Sequence, residues 1–206
     1  MKVTLSTFAA SLRDPGIVDL FHHFLCGQGL VNKFVRHRID PKLSVVNCAT
    51  SIFFAPSDRN GTTGHKELMR ATPSWRNNSP RYDTVFVRTG LAPGPHGLSV
   101  AQLRILFSFM INDTHHEVAL VEWFSYIGNS PDEDTGMWMV EREKQDDGSP
   151  LMDFICIDAI LRSCHLLPVY RKEMISGNIT YATSLDVFQA YYVNKFADHH
   201  SFELLS

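Results

Sequence analysis

The stretch EVALVEWFSYIGNSPDEDTGMWMVE, residues 117–141, decides the fold. It begins with an apolar run, Val118 to Phe124, that is rich in β-branched and aromatic residues and predicts a strand covered on both faces. Glycine, asparagine, proline and acidic residues then predict a solvated loop over residues 125–135. A second apolar stretch, Met137 to Val140, follows the loop. We therefore predict two core strands, each carrying or adjoining a tryptophan.

The segment that precedes this stretch has a period-two pattern. Leu103, Ile105 and Phe107 recur at every second position, which is typical of a half-buried strand. Turn-forming residues at 112–114 lie between it and the next strand, so the sequence predicts a hairpin. We expect one buried cluster that contains Leu103, Ile105, Phe107, Val121 and Trp123.

Extended segments and turns fill most of the remaining chain. The patterns predict strands at 43–54, 84–88, 152–157 and 166–170, and one helical turn at 158–162. Residues 55–80 are rich in turn formers and predict a long connection anchored by Leu68 and Trp75. Many short strands with frequent turns indicate an α+β, mainly β fold, a partly open β-barrel-like domain.

A helix is expected near the start of the chain. Asp14 and the proline after it predict a helix beginning, and an apolar stripe at helical spacing continues to Cys26. The stripe consists of Ile17, Leu20, Phe21, Phe24 and Leu25. Two roles are open, an interface that drives self-association or packing on the β domain near Phe53 and Phe54, and the second is favoured. We predict a helical arm or linker over 1–42 and a β-rich domain over 43–206.

The end of the chain predicts a C-terminal helix. Ser184 is a suitable cap, and Asp186 lies where the first helical turn favours an acidic residue. The apolar positions of this helix are expected to be Leu185, Phe188, Tyr191 and Tyr192.

Composition is that of a packed globular protein. The chain of 206 residues is 44% hydrophobic and 20% charged, and its net charge of −3 gives no general electrostatic reason to bind nucleic acid. No apolar run approaches the roughly 18 residues that a membrane span needs. The four cysteines are scattered, which favours reduced thiols and an intracellular location. We expect no cofactor and no membrane partner.

Several sequence blocks occur in an order that resembles a known family. They are FFAPSD (53–58), RATPSWR (70–76), RYDTVFV (81–87), ALVEWFS (119–125), PDEDTGMW (131–138), HLLPVY (165–170) and YYVNKFADHH (191–200). Over residues 14–206 the chain resembles the C-terminal region of proteins encoded by fungal, basidiomycete-type DNA transposons of the Plavaka type, within the CACTA-like group. The resemblance implies a mobile-element origin. It implies no catalysis, because the recombinase core of such proteins lies outside that region.

The order of the VEWF strand, the HLLPVY strand and the closing aromatic segment is also similar to bromo-adjacent homology domains. These are β-rich, chromatin-associated modules, so the likeness implies a protein or chromatin partner and a nuclear location. Trp123, Tyr126 and Trp138 are candidates for an aromatic cage that holds a methylated lysine. Their alternative role is core packing.

Residues with catalytic or ligand-binding chemistry are otherwise scattered. Cys164, His165 and His199 lack the spacing of zinc ligands, and Gly61 to Lys66 lacks the spacing of a phosphate loop. We therefore expect no metal site and no catalytic residue. Candidates for contacts with nucleic acid, or alternatively for an ordinary solvated face, are Lys33, Arg36, Arg38, Arg70, Arg76 and Arg81.

Three hypotheses for function remain. The first is a non-catalytic accessory module that binds protein or chromatin partners of a transposon machinery and has no small-molecule substrate. The second is a metal-dependent, hydrolase-like enzyme with a site near Asp158, His165 and His199. The third is a decayed element fragment without function.

Overall fold

A computed structural model describes residues 2–12, 14, 16–31, 40–54, 57–58, 64–76, 79–90, 94–170, 179–180 and 183–206. Its architecture is mainly β, with a curled half-barrel of antiparallel strands, and the predicted fold class is confirmed. Lys33, Arg36, Arg38 and the glycine-containing segment 61–63 lie outside the described residues.

Strands outnumber helices in the described parts of the chain. The first half contains β1 Lys2–Thr4, α1 Leu5–Leu12, α2 Gly16–Gly27, β2 Lys42–Val46, β3 Cys48–Phe53, β4 His65–Trp75, β5 Ser79–Tyr82, β6 Thr84–Arg88 and β7 Leu98–Ile111. The second half contains β8 Thr114–Tyr126, β9 Met139–Arg142, β10 Met152–Cys156, β11 Ile160–Ser163, β12 Leu166–Pro168, α3 Ser184–Val187, β13 Tyr191–Val193 and α4 His199–Leu205. Short 3-10 turns lie at Gly94–Gly97 and Ile157–Ala159.

The hairpin of β7 and β8 is the centre of the large sheet. Asn112 and Asp113 form its turn with positive φ angles of 50° and 59°. Both residue types tolerate this conformation, which tight hairpin turns require because it matches the twist of the strands. The hairpin predicted from the turn residues at 112–114 is confirmed.

Different strands pair with the two ends of this hairpin. The first half of β7 pairs with β6 and its second half with β2, whereas β8 pairs first with β10 and then with β9. The sheet continues through β13 and β12 on one side and through β1 on the other, and β11 is added to β6. In the described part of the chain, β3, β4 and β5 form a second sheet of three strands.

β7 contains a β-bulge at Arg104, because Leu103 and Ile105 pair with adjacent residues of β8. An extra residue reverses the alternation of side chains beyond it. Leu103 is therefore buried on one face of the sheet, whereas Ile105 and Phe107 pack on the other. The predicted single cluster is wrong for this reason, although each member is at least half-buried: Leu103, Ile105, Phe107, Val121 and Trp123.

Both faces of β8 are covered, as its continuous apolar run predicts. Val118 and Leu120 belong to the cluster beneath the helices, and Ala119 and Val121 belong to a cluster with residues of β4 and β6. All four side chains are at most 1% exposed. This strand is therefore the shared wall of two cores.

α2 packs on the sheet through its apolar stripe. Ile17, Phe21 and Leu25 are buried, and the ring of Phe21 lies 5.2 Å from that of Phe109 and 5.1 Å from that of Phe154. Packing of the stripe on the β domain, the favoured alternative, is confirmed. The expected neighbours were wrong, because Phe53 and Phe54 do not belong to this cluster. The boundary between an arm and a domain at residue 42 stays a prediction.

Three sequence predictions fail where strand pairing overrides local patterns. Residues 65–75 of the predicted connection form β4, which pairs with β3 and β5. The predicted helix from Ser184 ends at Val187, and Tyr191 and Tyr192 pair with β9 and β12 as β13. The expected helical turn at 158–162 ends at Ala159, where β11 follows.

We predict that Phe107→Ala lowers the free energy of unfolding by about 3–5 kcal/mol, as deletion of a buried aromatic side chain usually does. Phe107 is 2% exposed and its ring contacts those of Phe21 and Phe154. Urea unfolding checks this value. Met110→Ala is the matched control, because Met110 lies on the same strand and is 56% exposed. A loss below about 1 kcal/mol for Phe107→Ala would contradict the packing.

Deletion of residues 1–30 should abolish cooperative unfolding or cause aggregation. The deletion removes β1 and α2 and uncovers the apolar cluster around Phe107, Phe109 and Phe154. Large exposed apolar patches drive association. Size-exclusion chromatography and thermal unfolding of the shortened chain measure the effect. A stable monomer with the melting temperature of the full chain would show that the helices are dispensable.

Candidate functional site

A cleft of about 770 Å³ opens between β4–β5 and the connection from β11 to β12, and we call it the main cleft. Trp75 and Arg81 line one wall, and Ser163 to Leu166 line the other. The buried side chains of Thr84 and Gln102 form its floor. The cleft is open to solvent on one side and polar at its base.

Three arginines surround Trp75 at the end of β4. The guanidinium carbon of Arg70 lies 4.2 Å from the centre of the Trp75 ring, and those of Arg76 and Arg81 lie 5.5 and 5.6 Å from it. Arg81 lies in a different sequence block from Trp75. The antiparallel pairing of β5 with β4 brings Arg81 to this end of the sheet. Contacts of this kind are each worth about 0.5–1 kcal/mol at exposed sites. They hold the guanidinium groups against the wall of the cleft.

Asp83 neutralises one of these arginines. Its carboxylate accepts a hydrogen bond of 2.7 Å from Nε of Arg81 and another of 2.9 Å from the backbone amide of Arg70. In the part of the chain that the structure describes, neither Arg70 nor Arg76 forms an ion pair with a carboxylate. The wall around Trp75 therefore carries uncompensated positive charge.

The floor of the main cleft is a closed hydrogen-bond network. The amide nitrogen of Gln102 donates to the carbonyl of Tyr82 at 3.1 Å, and its oxygen accepts from Nη2 of Arg142 at 3.0 Å. Nη1 of Arg142 lies 2.6 Å from Oε1 of the buried Glu122. The hydroxyl of Thr84 donates to the carbonyl of Cys164. Because these groups bond to one another, the floor is rigid and offers little free hydrogen-bonding capacity to a ligand.

The far wall contains a cysteine and a histidine with different exposure. Cys164 is 3% exposed, and burial raises the pKa of its thiol above the ordinary range. Only a thiolate is a good nucleophile, so this thiol is unreactive at neutral pH. The side chain of His165 is exposed, and its carbonyl accepts a hydrogen bond of 2.8 Å from the backbone amide of Asn194.

A buried arginine, Arg162, lies behind the cleft on β11. Its side chain is fully buried, lies 4.4 Å above the ring of Phe53 and forms ion pairs with Glu67 and Asp198. Glu67 also accepts a hydrogen bond of 3.0 Å from the backbone amide of Ser163. Glu67 lines the main cleft and shares the single positive charge of Arg162 with Asp198. This ion cluster ties β3, β4, β11 and the start of α4 together.

The groups around Arg162 have shifted protonation equilibria. Hydrogen bonds from Arg162 hold the pKa of the Asp198 carboxyl well below its ordinary range. Burial and the positive charge of Arg162 lower the pKa of His200. The neutral imidazole accepts a hydrogen bond of 2.9 Å from Arg162 at Nδ1 and stacks on Phe53. Arg162 therefore has carboxylate and imidazole acceptors.

The structure brings two of the three aromatic-cage candidates together. The rings of Tyr126 and Trp138 lie 5.6 Å apart at 75°, and the hydroxyl of Tyr126 donates to the carbonyl of Leu98 at 3.2 Å. Trp138 is 7% exposed, and burial raises the pKa of Tyr126. Trp123 packs in a different cluster, with residues of the half-barrel. The two tryptophans therefore occupy separate parts of the core.

The residues of the hydrolase hypothesis lie on three separate elements. Asp158 is exposed in the 3-10 turn after β10, and His165 lies in the main cleft. His199 begins α4 and pairs with Glu203 at 2.9 Å. Within the described ranges, no group of three His, Cys, Asp or Glu side chains is arranged to hold a metal ion.

From the sequence, Arg70, Arg76 and Arg81 are candidates for contacts with nucleic acid or for a solvated face, but nothing in it brings them together at Trp75. Residues 55–80 were expected to be a connection, so nothing aligned Arg70 and Trp75 with Arg81. The blocks RATPSWR and RYDTVFV, which contribute to the transposon resemblance, were the available signal, because they form β4, β5 and β6.

Comparisons with protein-family models, with curated proteins and with solved structures find no match to this chain. Among the described residues, none of the helices has the length and apolar character to cross a membrane.

Asp198→Asn should lower the free energy of unfolding at neutral pH by about 1 kcal/mol, because it removes a charged partner of Arg162 while asparagine still caps α4. The effect is modest because 42% of the Asp198 side chain is exposed to solvent. A carboxyl with a lowered pKa stabilises the fold above its ordinary pKa and loses this contribution as the pH falls. The difference from wild type should therefore shrink below about pH 4.

Urea unfolding of both chains over a pH series measures this difference. Asp186→Asn is the matched control, because Asp186 pairs with Arg142 but 65% of its side chain is exposed. It should change the free energy of unfolding by less than about 0.5 kcal/mol. A difference for Asp198→Asn that does not depend on pH would contradict the role of its charge.

Proposed function

We propose that this chain is a non-catalytic interaction module of a transposon-derived protein and that it binds a protein or chromatin partner through the main cleft. The observation that carries the proposal is the wall around Trp75. There the amphipathic ring of Trp75 and the side chain of Arg76 line an open cleft, and the guanidinium group of Arg70 lies over the same ring. Neither arginine pairs with a carboxylate among the described residues. Tryptophan and arginine are enriched where partners contribute most binding energy.

The chemistry of the cleft favours binding over catalysis. The floor groups Thr84 and Gln102 are engaged within the protein, and burial keeps the thiol of Cys164 protonated. A catalytic nucleophile needs a neighbouring base and a third group that orients this base. Ser163 and His165 lie on the wall, but among the described residues they form backbone contacts, with Glu67 and Asn194.

The transposon origin rests on the order of the sequence blocks. Two of these blocks, residues 70–76 and 81–87, supply Trp75 and all three arginines around it. Two of the seven blocks that carry the resemblance therefore supply the proposed binding wall. The likeness to bromo-adjacent homology domains and the nuclear location remain predictions.

Affinity capture followed by reconstitution tests the proposal. The immobilised chain is incubated with fungal nuclear extract, and each retained protein is purified and titrated directly against the wild type. Trp75→Ala should weaken the binding of a true partner by about tenfold or more, the loss expected for a central interface tryptophan. Phe196→Ala is the control, because Phe196 is 61% exposed and lies outside the lining of the main cleft.

Two results would overturn this function. One is a set of purified candidates that bind Trp75→Ala as tightly as the wild type. The other is turnover of ester, amide or phosphate substrates by the purified chain that is lost on His165→Ala, which would favour the hydrolase hypothesis.

A further inference from the structure

We infer that the main cleft recognises an acidic segment of a partner protein, with a carboxylate of that segment bound by Arg76 and Arg70 beside Trp75. The inference rests on the proposed function and adds the chemistry of the ligand. It is carried by charge complementarity at the cleft wall.

The uncompensated charge lies at a defined place. Arg81 is held by Asp83 at 2.7 Å, whereas Arg70 and Arg76 form no ion pair among the described residues. Glu67, the other carboxylate on the lining, is ion-paired with the fully buried Arg162, a partner that it shares with Asp198. The acids of the cleft are thus already paired, and the positive groups at Trp75 lack a counter-charge. An incoming carboxylate supplies it.

The arginines are positioned before any ligand arrives. Their guanidinium groups lie over the ring of Trp75, and the backbone amide of Arg70 is fixed by a hydrogen bond of 2.9 Å to Asp83. A planar guanidinium presents paired donors that match the two oxygens of a carboxylate. Because the contacts with Trp75 restrict the side chains, less conformational entropy is lost on binding.

The neighbouring surface suits a peptide. Leu68 is 43% exposed on the same wall, and Leu166 lies on the opposite wall. These side chains offer apolar contacts to residues beside the acidic one. The cleft of about 770 Å³ lies within the size range of sites that bury most of a ligand.

Nucleic acid fits the same cleft less well. Tight binding to a phosphate backbone requires several cationic contacts along a groove. Here two arginines without an ion-pair partner among the described residues lie at the ring of Trp75, too few to follow a phosphate backbone. The net charge of −3 adds long-range repulsion for a polyanion. An acidic peptide, which needs one or two carboxylates in the cleft, is therefore the favoured ligand.

Isothermal titration calorimetry with three synthetic probes tests the inference at low ionic strength. The probes are a peptide of alternating Glu and Leu, the same peptide with Gln in place of Glu, and a single-stranded oligothymidylate of similar length. The Glu peptide should bind at least about tenfold more tightly than the Gln peptide, the ratio that a charge-assisted contact produces. Raising the salt concentration should reduce this ratio.

Charge reversal locates the binding site. Arg76→Glu should weaken binding of the Glu peptide by about tenfold or more, and Arg88→Glu should change it by less than about twofold. Arg88 is an exposed arginine that lines a different cleft, with Cys48 and Asp158. Circular dichroism and urea unfolding verify that both variants fold. If Arg76→Glu does not fold, Arg76→Gln replaces it with the same expected direction.

Equal binding of the Glu and Gln peptides, absence of binding by the Glu peptide, or binding of oligothymidylate alone would overturn the inference. An unchanged affinity in Arg76→Glu or its replacement would also do so. The proposed function is contradicted by a different result, namely purified partners that bind the Trp75→Ala variant as tightly as the wild type. If a partner requires Trp75 but not Arg76 for binding, the proposed function as an interaction module stands and the inference of an acidic ligand is wrong.

Discussion

The pairing of β7 with β8, interrupted by the bulge at Arg104, is the constraint on which the rest of the structure depends. The hairpin offers two long edges, and a different strand occupies each half of each edge. Because the bulge reverses the alternation of side chains along β7, its two halves contribute to different cores. One core receives α2, and the other is closed by β4 and β6. A regular strand would keep one set of side chains on one face throughout.

A second constraint connects this frame to the main cleft. β4 carries Met69 into the core of the half-barrel, Glu67 to Arg162 and Trp75 to the cleft wall. Burial of Arg162 without partners would cost several kcal/mol, so Glu67, Asp198 and His200 must remain in place around it. The same ion cluster therefore fixes β4 and gives the Glu67 carboxylate at the cleft a charged partner. The basic character of the wall comes from Arg70 and Arg76 at the ring of Trp75.

The sequence predicted elements whose burial is encoded locally. The run Val118 to Val121 predicts a doubly covered strand, and the turn residues Asn112 and Asp113 predict the hairpin, because each pattern has few alternatives. β4 escaped prediction because polar residues and turn formers surround its few buried positions, Met69, Ala71 and Thr72. Tyr191 has helical spacing from Phe188, but its hydroxyl donates to the carbonyl of Leu185 at 2.7 Å while its backbone pairs with β9. For the candidate site, the sequence indicated which residues are basic. Their proximity at Trp75 follows from the pairing of β4 with β5, which the sequence did not predict.

The local pairing of charges is the reason why we infer an acidic ligand although the whole chain is acidic. Net charge governs long-range approach, and salt screens it beyond about 10 Å. A guanidinium beside an aromatic ring acts at contact distance, where the nearest partners decide the sign of the interaction. Three arginines lie around Trp75, and Asp83 forms an ion pair with one of them, Arg81. A protein with a negative net charge can therefore bind an acidic ligand. The interaction depends on the cationic side chains in the cleft that have no ion pair with the protein's own carboxylates.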